Sequence, residues 1–393
     1  MIKAGVGSSL SADSKLAGRE AALQAMAGGE LTKADWGLVF STFPHRSSYK
    51  DILKSVCEVL QTTNVTGCSA IGVLTSLGEI EAEPGVVVLA ASSDKLRAAP
   101  FLIQDSGDGG LKAGVEIGKH LNFMEGGNAL LTLLPDPYLI HPELLFRGVE
   151  SQLGEIQIVG AAASEHPGMN TTYEFCGDRV LTGAVSGLAL YGDFKHGIGI
   201  TQGCQPVGAP CIITKAEGNI IFELDGEPAF RVLKKRVPKR IIENPMDIMR
   251  LLFVGFTPNP NETEIVGRDY LVRNLIGVNP DTEVIGVSEN VKEGQIMTFT
   301  VRHPTMARED LKQMLERLAS PRQSSRTFKF GFYFNCCARG SSLYGHQGID
   351  TAYITQAFGD IPIIGFFGNS EFAPLGKANH LFTYTGVLVM ISE

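Results

Sequence analysis

Four side chains in the C-terminal part of the chain have types that could bind or transform a small molecule: Cys336, Cys337, Arg339 and Glu371. A cysteine thiolate is a nucleophile when a nearby base or cation lowers its pKa. A guanidinium group forks onto a carboxylate, and a carboxylate can hold an ammonium group. Arg339 and Glu371 could therefore clamp a zwitterion, or they could form a structural salt bridge with each other.

The segments around these side chains predict a βαβ unit. Phe328 to Asn335 is an apolar, aromatic run of strand length, Ile349 to Phe358 has an apolar helical face, and Ile361 to Phe366 is a second apolar run. Ligands of open α/β sheets are held at the carboxyl ends of the strands. Because side chains alternate along a strand, we expect only one of Cys336 and Cys337 to face a pocket and the other to pack in the core.

Glycines occur at the same two predicted strand ends. Glycine allows backbone N–H groups to approach a ligand, although turn geometry alone could also require it. The ligand-binding residues predicted for the C-terminal pocket are Cys336, Cys337, Arg339, Gly340, Gly365, Gly368, Asn369 and Glu371.

The same order of strand, helix and strand occurs twice earlier in the chain, beginning at Trp36 and at Asn128. The second strands of the three units have similar endings, which are Gly67-Cys68-Ser69, Gly160 to Ser164-Glu165, and Gly365 to Ser370-Glu371. We interpret these endings as equivalent strand ends that line one or two pockets, with Cys68, Ser69 and Ser164 in an N-terminal pocket. The alternative is three ordinary crossovers whose glycines merely turn the chain and whose serines are loop residues.

Three further elements are predicted from local pattern. Ser14 is expected to cap a helix to about Ala27, with Leu16 and Leu23 among its apolar residues. Glu309 to Leu318 has the apolar stripe of an amphipathic helix. Phe382 to Ile391 is expected to join the sheet formed by the strand that begins at Phe328.

Composition limits the class of protein. The chain has 393 residues, 44% of them hydrophobic, and a formal net charge of −8. This length suggests about two domains, and the negative charge argues against a nucleic-acid partner. The N-terminus lacks the apolar core of a secretion signal, and the chain lacks an apolar run long enough to span a membrane. The sequence therefore predicts a cytoplasmic protein without a membrane partner.

The seven cysteines are an odd set without paired CxxC spacing, which favours reduced thiols over a disulfide framework or a zinc site. The basic run Lys234 to Arg240 could be a nuclear-entry signal, but a solvated helix end whose cations meet acidic partners is the preferred interpretation. A turn at Leu224 to Pro228 indicates a boundary between domains 1–226 and 227–393. We predict an α/β fold in which each domain is a mixed β-sheet covered by helices and built from repeated βαβ units.

With these segments in view, the sequence resembles the FIST family, whose members contain an N-terminal and a C-terminal FIST domain. The segments that carry the C-terminal resemblance include YLVRNLIGVNP, VSENVKEGQIMTFTVRHP, NCCARGSSLYG and IPIIGFFGNSEFAP. The N-terminal resemblance lies in WGLVFSTF, GCSAIGV, VGAAASE and ITKAEGNIIFELDGEP. The resemblance implies ligand sensing, with small molecules such as amino acids as ligands, often in bacterial signalling proteins. In eukaryotes it implies a substrate receptor of a ubiquitin ligase.

The chain departs from both arrangements, because kinase, methyl-accepting and F-box segments are not found in it. We therefore expect it to signal through a separate protein partner; the sequence leaves the oligomeric state open. No cofactor is expected, and haem, which the resemblance implies for some bacterial members, is a lesser alternative without an identified ligand.

Familiar enzyme signatures are missing: the sequence lacks GxGxxG, GxxxxGK[ST], HExxH and GxSxG, and its eight histidines lack ligand spacing. We therefore favour a non-enzymatic small-molecule sensor. Two alternatives stay open at this stage. One is a thiol-dependent enzyme or redox sensor that uses Cys336 or Cys337, and the other is a protein-interaction adaptor.

Overall fold

The computed structural model describes residues 1–122, 127–243, 245–262, 264–265, 269–320 and 327–393, with only the backbone of 245–247. These residues form two compact units. The first unit contains Met1–Thr201, Leu311–Leu381 and Thr385–Glu393, and the second contains Gln202–Asp310 and Phe382–Tyr384. The second unit is thus inserted into the sequence of the first.

Strands make up most of the regular structure. The strands before residue 203 are β1 Lys3–Ser9, β2 Trp36–Thr42, β3 Val65–Ala70, β4 Gly72–Thr75, β5 Gly78–Glu81, β6 Val86–Ser92, β7 Leu96–Gln104, β8 Asn128–Pro135, β9 Ile158–Ala161, β10 Glu174–Cys176, β11 Arg179–Leu181, β12 Ala184–Gly192 and β13 Lys195–Gln202. The later strands are β14 Cys204–Glu217, β15 Ile220–Leu224, β16 Glu227–Pro228, β17 Leu252–Phe256, β18 Leu271–Asn279, β19 Val284–Val287, β20 Ile296–Arg302, β21 Phe328–Cys336, β22 Ile363–Gly368, β23 Glu371–Leu375, β24 Ala378–Phe382 and β25 Thr385–Ser392.

Helices cover the sheets. They are α1 Ser14–Gly28, α2 Tyr49–Leu60, α3 Leu111–Leu121, α4 Pro142–Leu153, α5 Ala229–Arg236, α6 Lys239–Ile242, α7 Pro245–Leu251, α8 Pro304–Leu318, α9 Gly340–Tyr344 and α10 Ile349–Phe358, with a 3-10 turn at Phe43–Ser48. Within the described residues, no helix combines the length and the apolar character that crossing a membrane requires.

The first unit contains three six-stranded sheets with the same central pattern. Their strand orders are β1-β6-β2-β3-β10-β11, β24-β23-β9-β8-β12-β7 and β13-β25-β21-β22-β4-β5. At the centre of each lies a parallel pair joined by a helical crossover, namely β2 with β3, β8 with β9, and β21 with β22. Antiparallel strands flank each of these pairs. The three predicted βαβ units are therefore present and equivalent in topology.

The three sheets exchange hairpins. The hairpin β4–β5 follows β3 along the chain but pairs with β22. Likewise, β23 follows β22 and pairs with β9, whereas β10 follows β9 and pairs with β3. As a result, the carboxyl end of each second parallel strand leads directly into a neighbouring sheet.

Each sheet has its own apolar core. The core under the first sheet includes α1 and α2, the second includes α3 and α4, and the third includes α8 and α10. The stripe predicted for the helix at Glu309 to Leu318 lies in the third core, since Leu311, Met314, Leu315 and Leu318 are all buried. The predicted last strand is also confirmed, because β25 pairs with β21 in an antiparallel register.

The N-terminal helix differs from its prediction in two details. Asp13, not Ser14, is the N-cap residue, and its carboxylate accepts a hydrogen bond from the backbone N–H of Leu16. The side chains of Leu16 and Leu23 are exposed, whereas the buried face consists mostly of alanines and glycine. We attribute this choice of face to close packing of α1 on β1, which small side chains permit and leucines would prevent.

The second unit is one seven-stranded sheet in the order β14-β20-β17-β18-β19-β15-β16. Its basic run lies at the end of α5 and in α6. The cations near it meet acidic partners: Arg231 pairs with Glu283, Lys235 with Glu227, and Arg236 with Asp225. Two of these cations, Lys235 and Arg236, belong to the basic run itself.

Candidate functional site

The ends of the three central strands meet within the first unit. The backbone N–H of Ser164 donates to the carbonyl of Ser69 at 3.3 Å, and that of Ala162 donates to the carbonyl of Ser370 at 2.9 Å. The Ser164 hydroxyl donates to the carbonyl of Phe367 and accepts from the backbone N–H of Ile71. Segments that are distant in sequence are therefore joined by hydrogen bonds at one place.

The glycines of the repeated endings permit close approach of neighbouring strands. A Cβ atom on Gly67 would lie 1.7 Å from the carbonyl oxygen of Val39, and one on Gly365 would lie 1.8 Å from that of Tyr333. The third equivalent, Gly160, would place its Cβ 2.1 Å from the carbonyl oxygen of Leu133. These distances are far below van der Waals contact, so the glycines serve packing between parallel strands, which neither the ligand nor the turn interpretation anticipated.

Most of the predicted ligand-binding residues are buried at this meeting point. Cys337 and Asn369 are exposed, and the buried ones are Cys68, Ser69, Ser164, Cys336, Arg339, Gly340, Gly365, Gly368 and Glu371. The Ser69 hydroxyl accepts from the backbone N–H of Tyr173 at 3.0 Å, so its hydrogen-bonding capacity is used internally. Burial, with the Glu174 carboxylate beside it, raises the pKa of the Cys68 thiol.

Strand β21 ends at Cys336, and the two adjacent cysteines differ in exposure. Cys336 is 3% exposed and lies near the carboxyl group of Glu371, whose pKa it helps to raise. Cys337 is exposed and lines a cavity. Cys337 is therefore the thiol accessible to a ligand. The seven cysteines all lie in the described part of the chain, and none of them forms a disulfide there.

The cavity beside Cys337 has a volume of about 320 Å³. Its walls come from the 3-10 turn after β2, the hairpin β4–β5, the loop after β9, the start of α9 and the end of β22. Side chains of different character line it, among them Phe43, Glu81, Glu83, His166, Ser342 and Phe367. This volume is at the lower end of the range typical of small-molecule sites.

A larger depression of about 440 Å³ lies at the start of α2, where Arg46, Lys50 and Tyr173 are among its lining residues. It contains none of the residues predicted to bind a ligand. Its cations are exposed side chains, and it is the more open of the two hollows. We therefore take the smaller cavity beside Cys337 as the candidate site.

Arg339 is bound to Asp350 and not to Glu371, its partner in the sequence-based expectation. The guanidinium Nε donates to Asp350 Oδ2 at 2.9 Å, and Nη2 donates to Oδ1 at 3.1 Å. Tyr333, Asn335 and Tyr344 donate three more hydrogen bonds to the same carboxylate. The side chains of Arg339 and Asp350 are 1% and 0% exposed. Arg339 thus forms a buried ion pair within one βα segment, in place of the salt bridge with Glu371 that was one of its two interpretations.

The charges of this pair support each other. Burial alone would raise the pKa of Asp350, but the Arg339 guanidinium and the surrounding donors hold it below its usual value. Although burial opposes its charge, the pKa of Arg339 is raised, chiefly by Asp350. Both groups are therefore ionised at neutral pH, which makes the pair a rigid support under the start of α9 and α10.

Glu371 is a buried carboxyl group of a different kind. Its Oε2 accepts from the hydroxyl of Thr385 at 2.7 Å and from the backbone N–H of the same residue at 3.2 Å. Burial raises its pKa well above the usual value, and the neighbouring Cys336 adds to this shift. The equivalent position in the first sheet is Glu174, which opposes Cys68 in register and has a pKa that burial also raises.

Two carboxylates of β5 hold the helices that follow β21. Glu81 accepts from the backbone N–H of Ser341 at 3.0 Å and from its hydroxyl at 2.7 Å, at the start of α9. Glu79 accepts from the backbone N–H groups of Gly348 and Thr351, at 2.6 and 3.2 Å, at the start of α10. Carboxylates are favoured at helix N-termini by the unpaired N–H groups and the helix dipole.

Gly340 permits the Glu81 contact. Its φ angle is +55°, and a Cβ atom there would lie 2.7 Å from Glu81 Oε1 and 2.7 Å from a ring carbon of Phe367. A larger residue would therefore be strained in its backbone and would displace the carboxylate.

Glu79 predicts an unusual pH dependence of stability. Burial, with Asp350 nearby, raises its pKa from 4.5 to about 7 in the folded protein. The folded state therefore binds a proton that the unfolded state releases between these values, so stability falls as pH rises from about 4.5 to 7. Between pH 5 and 8, we expect the wild type to lose about 2 kcal/mol more unfolding free energy than the variant Glu79→Gln.

The measurement is urea unfolding followed by tryptophan fluorescence. Trp36 is the single tryptophan of the chain and lies buried in β2, so its signal reports the first unit. Glu174 and Glu371 titrate in both proteins and cancel in the comparison. Equal pH slopes for the two proteins would contradict this account of Glu79.

Asp350, Glu79 and Glu81 are the polar residues of this region that sequence reasoning missed. Asp350 could have been recognised from the local sequence, because it is an acidic residue in the first turn of the predicted helix that follows Cys337 and Arg339. The local sequence around Glu79 and Glu81 gave no such indication, because both residues lie on a hairpin that is distant in sequence from the helices they contact. Among the described residues, no group of three or more His, Cys, Asp or Glu side chains is arranged to hold a metal ion.

The architecture and this site define a mixed α/β protein with a small cavity at the joined ends of its repeated units. Family models match the FIST N domain at residues 35–227 and the FIST C domain at residues 229–374. The chain therefore belongs to the FIST family, and FIST domains are known sensory domains. The boundary between the two matches falls at β16, inside the second compact unit. The division of the chain into domains 1–226 and 227–393 stays a prediction.

Relatives with the same extent are found in mycobacteria. The chain is 30% identical over 395 residues to the uncharacterized protein Rv0628c of Mycobacterium tuberculosis, with all of both chains covered. It is also 30% identical over 398 residues to the uncharacterized protein Mb0898c of Mycobacterium bovis, covering 100% of this chain and 99% of that one.

Among solved structures, a cyanuric acid hydrolase aligns over 100% of both chains with 9% identity and a TM-score of 0.34. The cyanuric acid hydrolase from A. caulinodans aligns over 49% of this chain and 71% of that one, with 12% identity and a TM-score of 0.27. Similarity at this level does not bear on the function of the chain.

Proposed function

We propose that this protein is a small-molecule sensor that holds a metabolite in the cavity beside Cys337 and signals through a separate protein partner. The observation that carries the proposal is the position of the cavity, at the joined ends of strands from three sheets. A ligand bound there would contact segments that belong to three different sheets, so its binding could shift several elements at once. The family membership supports a sensory role.

The hairpin β4–β5 provides a route from the ligand to the rest of the unit. Glu81 lines the cavity and also binds Ser341 at the start of α9. Glu79, two residues earlier, binds the start of α10. A ligand that contacts Glu81 would change the attachment of α9, and the shared strand would transmit the change to α10. The partner would then recognise the altered helices.

The environment of the buried thiol supports binding more than thiol catalysis. Cys336 lies against the carboxyl group of Glu371. The Cys336 side chain is only 3% exposed, so a substrate in the cavity would have little access to its sulfur. Covalent chemistry, if the site performs it, would therefore use Cys337, the thiol that lines the cavity.

A thermal-shift screen of amines, amino acids, organic acids and nucleosides would test the proposal, with every compound measured on matched variants. Cys337→Trp should fill the cavity and weaken each hit by at least about tenfold, because the indole occupies the volume needed by the ligand. Cys337→Ser keeps the volume and should retain the affinity within about threefold.

Hits that bind Cys337→Trp and wild type equally would place the ligand elsewhere and contradict the proposed site. A broad screen without a single stabilising compound would contradict small-molecule sensing. Because Cys337 is exposed, neither substitution should change the unfolding free energy by more than about 0.5 kcal/mol.

A further inference from the structure

The walls of the Cys337 cavity are largely aromatic and apolar. Phe43 and Phe367 contribute rings, and the imidazole of His166 lies 6.3 Å from the ring of Phe43 between centroids. Ile71 and Pro44 contribute aliphatic surface. Phe367 is only 1% exposed and belongs to the apolar core under the third sheet. These apolar surfaces suit the apolar body of a ligand.

The lining also carries negative charge, and Glu81 lies beside the ring of Phe367. Glu81 and Glu83 line the cavity from the end of β5 and the turn after it. The bonds from Ser341 orient the Glu81 carboxylate, and each of its oxygens retains further acceptor capacity. Among the described residues that line the cavity, none is a lysine or an arginine. Its charge is therefore complementary to a cation.

We propose that the cavity binds a primary amine with an apolar body, an inference that rests on the proposed function and specifies its ligand class. The ammonium group meets the carboxylates of Glu81 and Glu83, and the apolar body packs between the rings of Phe43 and Phe367. Carboxylate and aromatic groups together are a favourable environment for an organic cation.

The same lining disfavours an α-amino acid. A zwitterion brings a carboxylate that needs a cation or several N–H donors, and a carboxylate beside Glu81 and Glu83 would be repelled. The cation sought by sequence reasoning, Arg339, is committed to Asp350. Arg46 lies outside the lining, with its guanidinium stacked 4.5 Å from the centroid of the Phe43 ring. The amine is therefore preferred over the amino acid with the same body.

Three probes with one aromatic body test this preference: 2-phenylethylamine, phenylalanine and 3-phenylpropionate. They would be titrated calorimetrically into the full-length protein at one pH and ionic strength. We expect the amine to bind at least about tenfold more tightly than phenylalanine, and the acid to bind more weakly still.

The variant Glu83→Gln should weaken the amine by about fivefold and leave the acid unchanged or slightly improved, because it removes one charge from the lining. Glu83 is exposed, so the variant should fold normally, which its thermal midpoint would show. The matched control is Glu116→Gln, an exposed carboxylate on α3 outside the cavity, and it should leave amine binding unchanged.

The outcomes separate this inference from the proposed function. If phenylalanine or the acid binds as tightly as the amine, and Cys337→Trp abolishes that binding, the cavity is a ligand site but the amine preference is wrong. If the amine fails to bind while another compound of the screen occupies the cavity, the inference is likewise overturned and the function stands. Amine binding that is indifferent to both Cys337→Trp and Glu83→Gln would contradict the inference as well.

Discussion

Replacing Arg339 with alanine is expected to lower the unfolding free energy of the first unit by about 3–5 kcal/mol. The variant leaves the Asp350 carboxylate fully buried and without its cation, although Tyr333, Asn335 and Tyr344 still donate to it. An uncompensated buried charge is among the most destabilising changes that one substitution can make. Urea unfolding followed by Trp36 fluorescence measures the effect, because Trp36 lies in the first unit together with Arg339.

Two further variants identify the cause. Lys95→Ala removes a cation from the exposed Lys95–Asp193 pair of the same unit and should cost less than about 1 kcal/mol. The double variant Arg339→Met with Asp350→Asn removes both charges and should recover part of the loss, because the stranded carboxylate is gone. If Arg339→Ala costs no more than Lys95→Ala, the buried pair does not support the site as described.

The same variant separates structure from ligand contact. Arg339 is not among the residues that line the cavity. We therefore expect the Arg339→Ala protein to bind a ligand of the cavity more weakly than wild type only because the variant protein is less stable. The effect would act through the start of α9 and α10, which the pair supports.

Gly365→Ala is expected to destabilise the first unit by about 3 kcal/mol or more, or to prevent folding. Its new Cβ would lie 1.8 Å from the carbonyl oxygen of Tyr333 and 3.0 Å from a side-chain carbon of Leu74. Relief would require β21 and β22 to separate, which would weaken the parallel pair at the centre of the third sheet. Soluble yield and the Trp36 unfolding transition measure the outcome.

The matched control is Gly28→Ala in the same unit. Gly28 ends α1, and a Cβ atom there would meet only the backbone of β1 at ordinary contact distances of 3.8 and 3.9 Å. Its substitution should change stability by no more than about 1 kcal/mol, and a small gain is compatible with helix propensity. A Gly365→Ala protein as stable as Gly28→Ala would show that the strands do not approach as closely as described.

Features that depend on neighbours along the chain were predictable from the order of the amino acids. Apolar runs of strand length followed by amphipathic helices specify the three βαβ units, and their similar endings indicate that the units are equivalent. The expectation that only one of Cys336 and Cys337 faces a pocket came from strand geometry alone. The stripe of α8 was equally readable, because its apolar spacing matches the helical repeat.

The tertiary structure decided which distant groups meet. The hairpin β4–β5 leaves the first sheet and pairs with β22, so that Glu79 reaches Thr351 across 272 positions of sequence. No local pattern encodes such a choice, because strand pairing between distant segments depends on how whole sheets pack.

The same reason accounts for the site residues. Serines and glycines at strand ends were compatible with a ligand pocket, but the close meeting of three sheets buries them and satisfies Ser69 and Ser164 with protein partners. Arg339 had carboxylates available both nearby and far along the chain, and the geometry of the β21–α10 segment selected Asp350. The repeated units and the residue types at their ends are encoded in the local sequence. Three-dimensional packing determines that Cys337, and not Cys336, lines the candidate cavity.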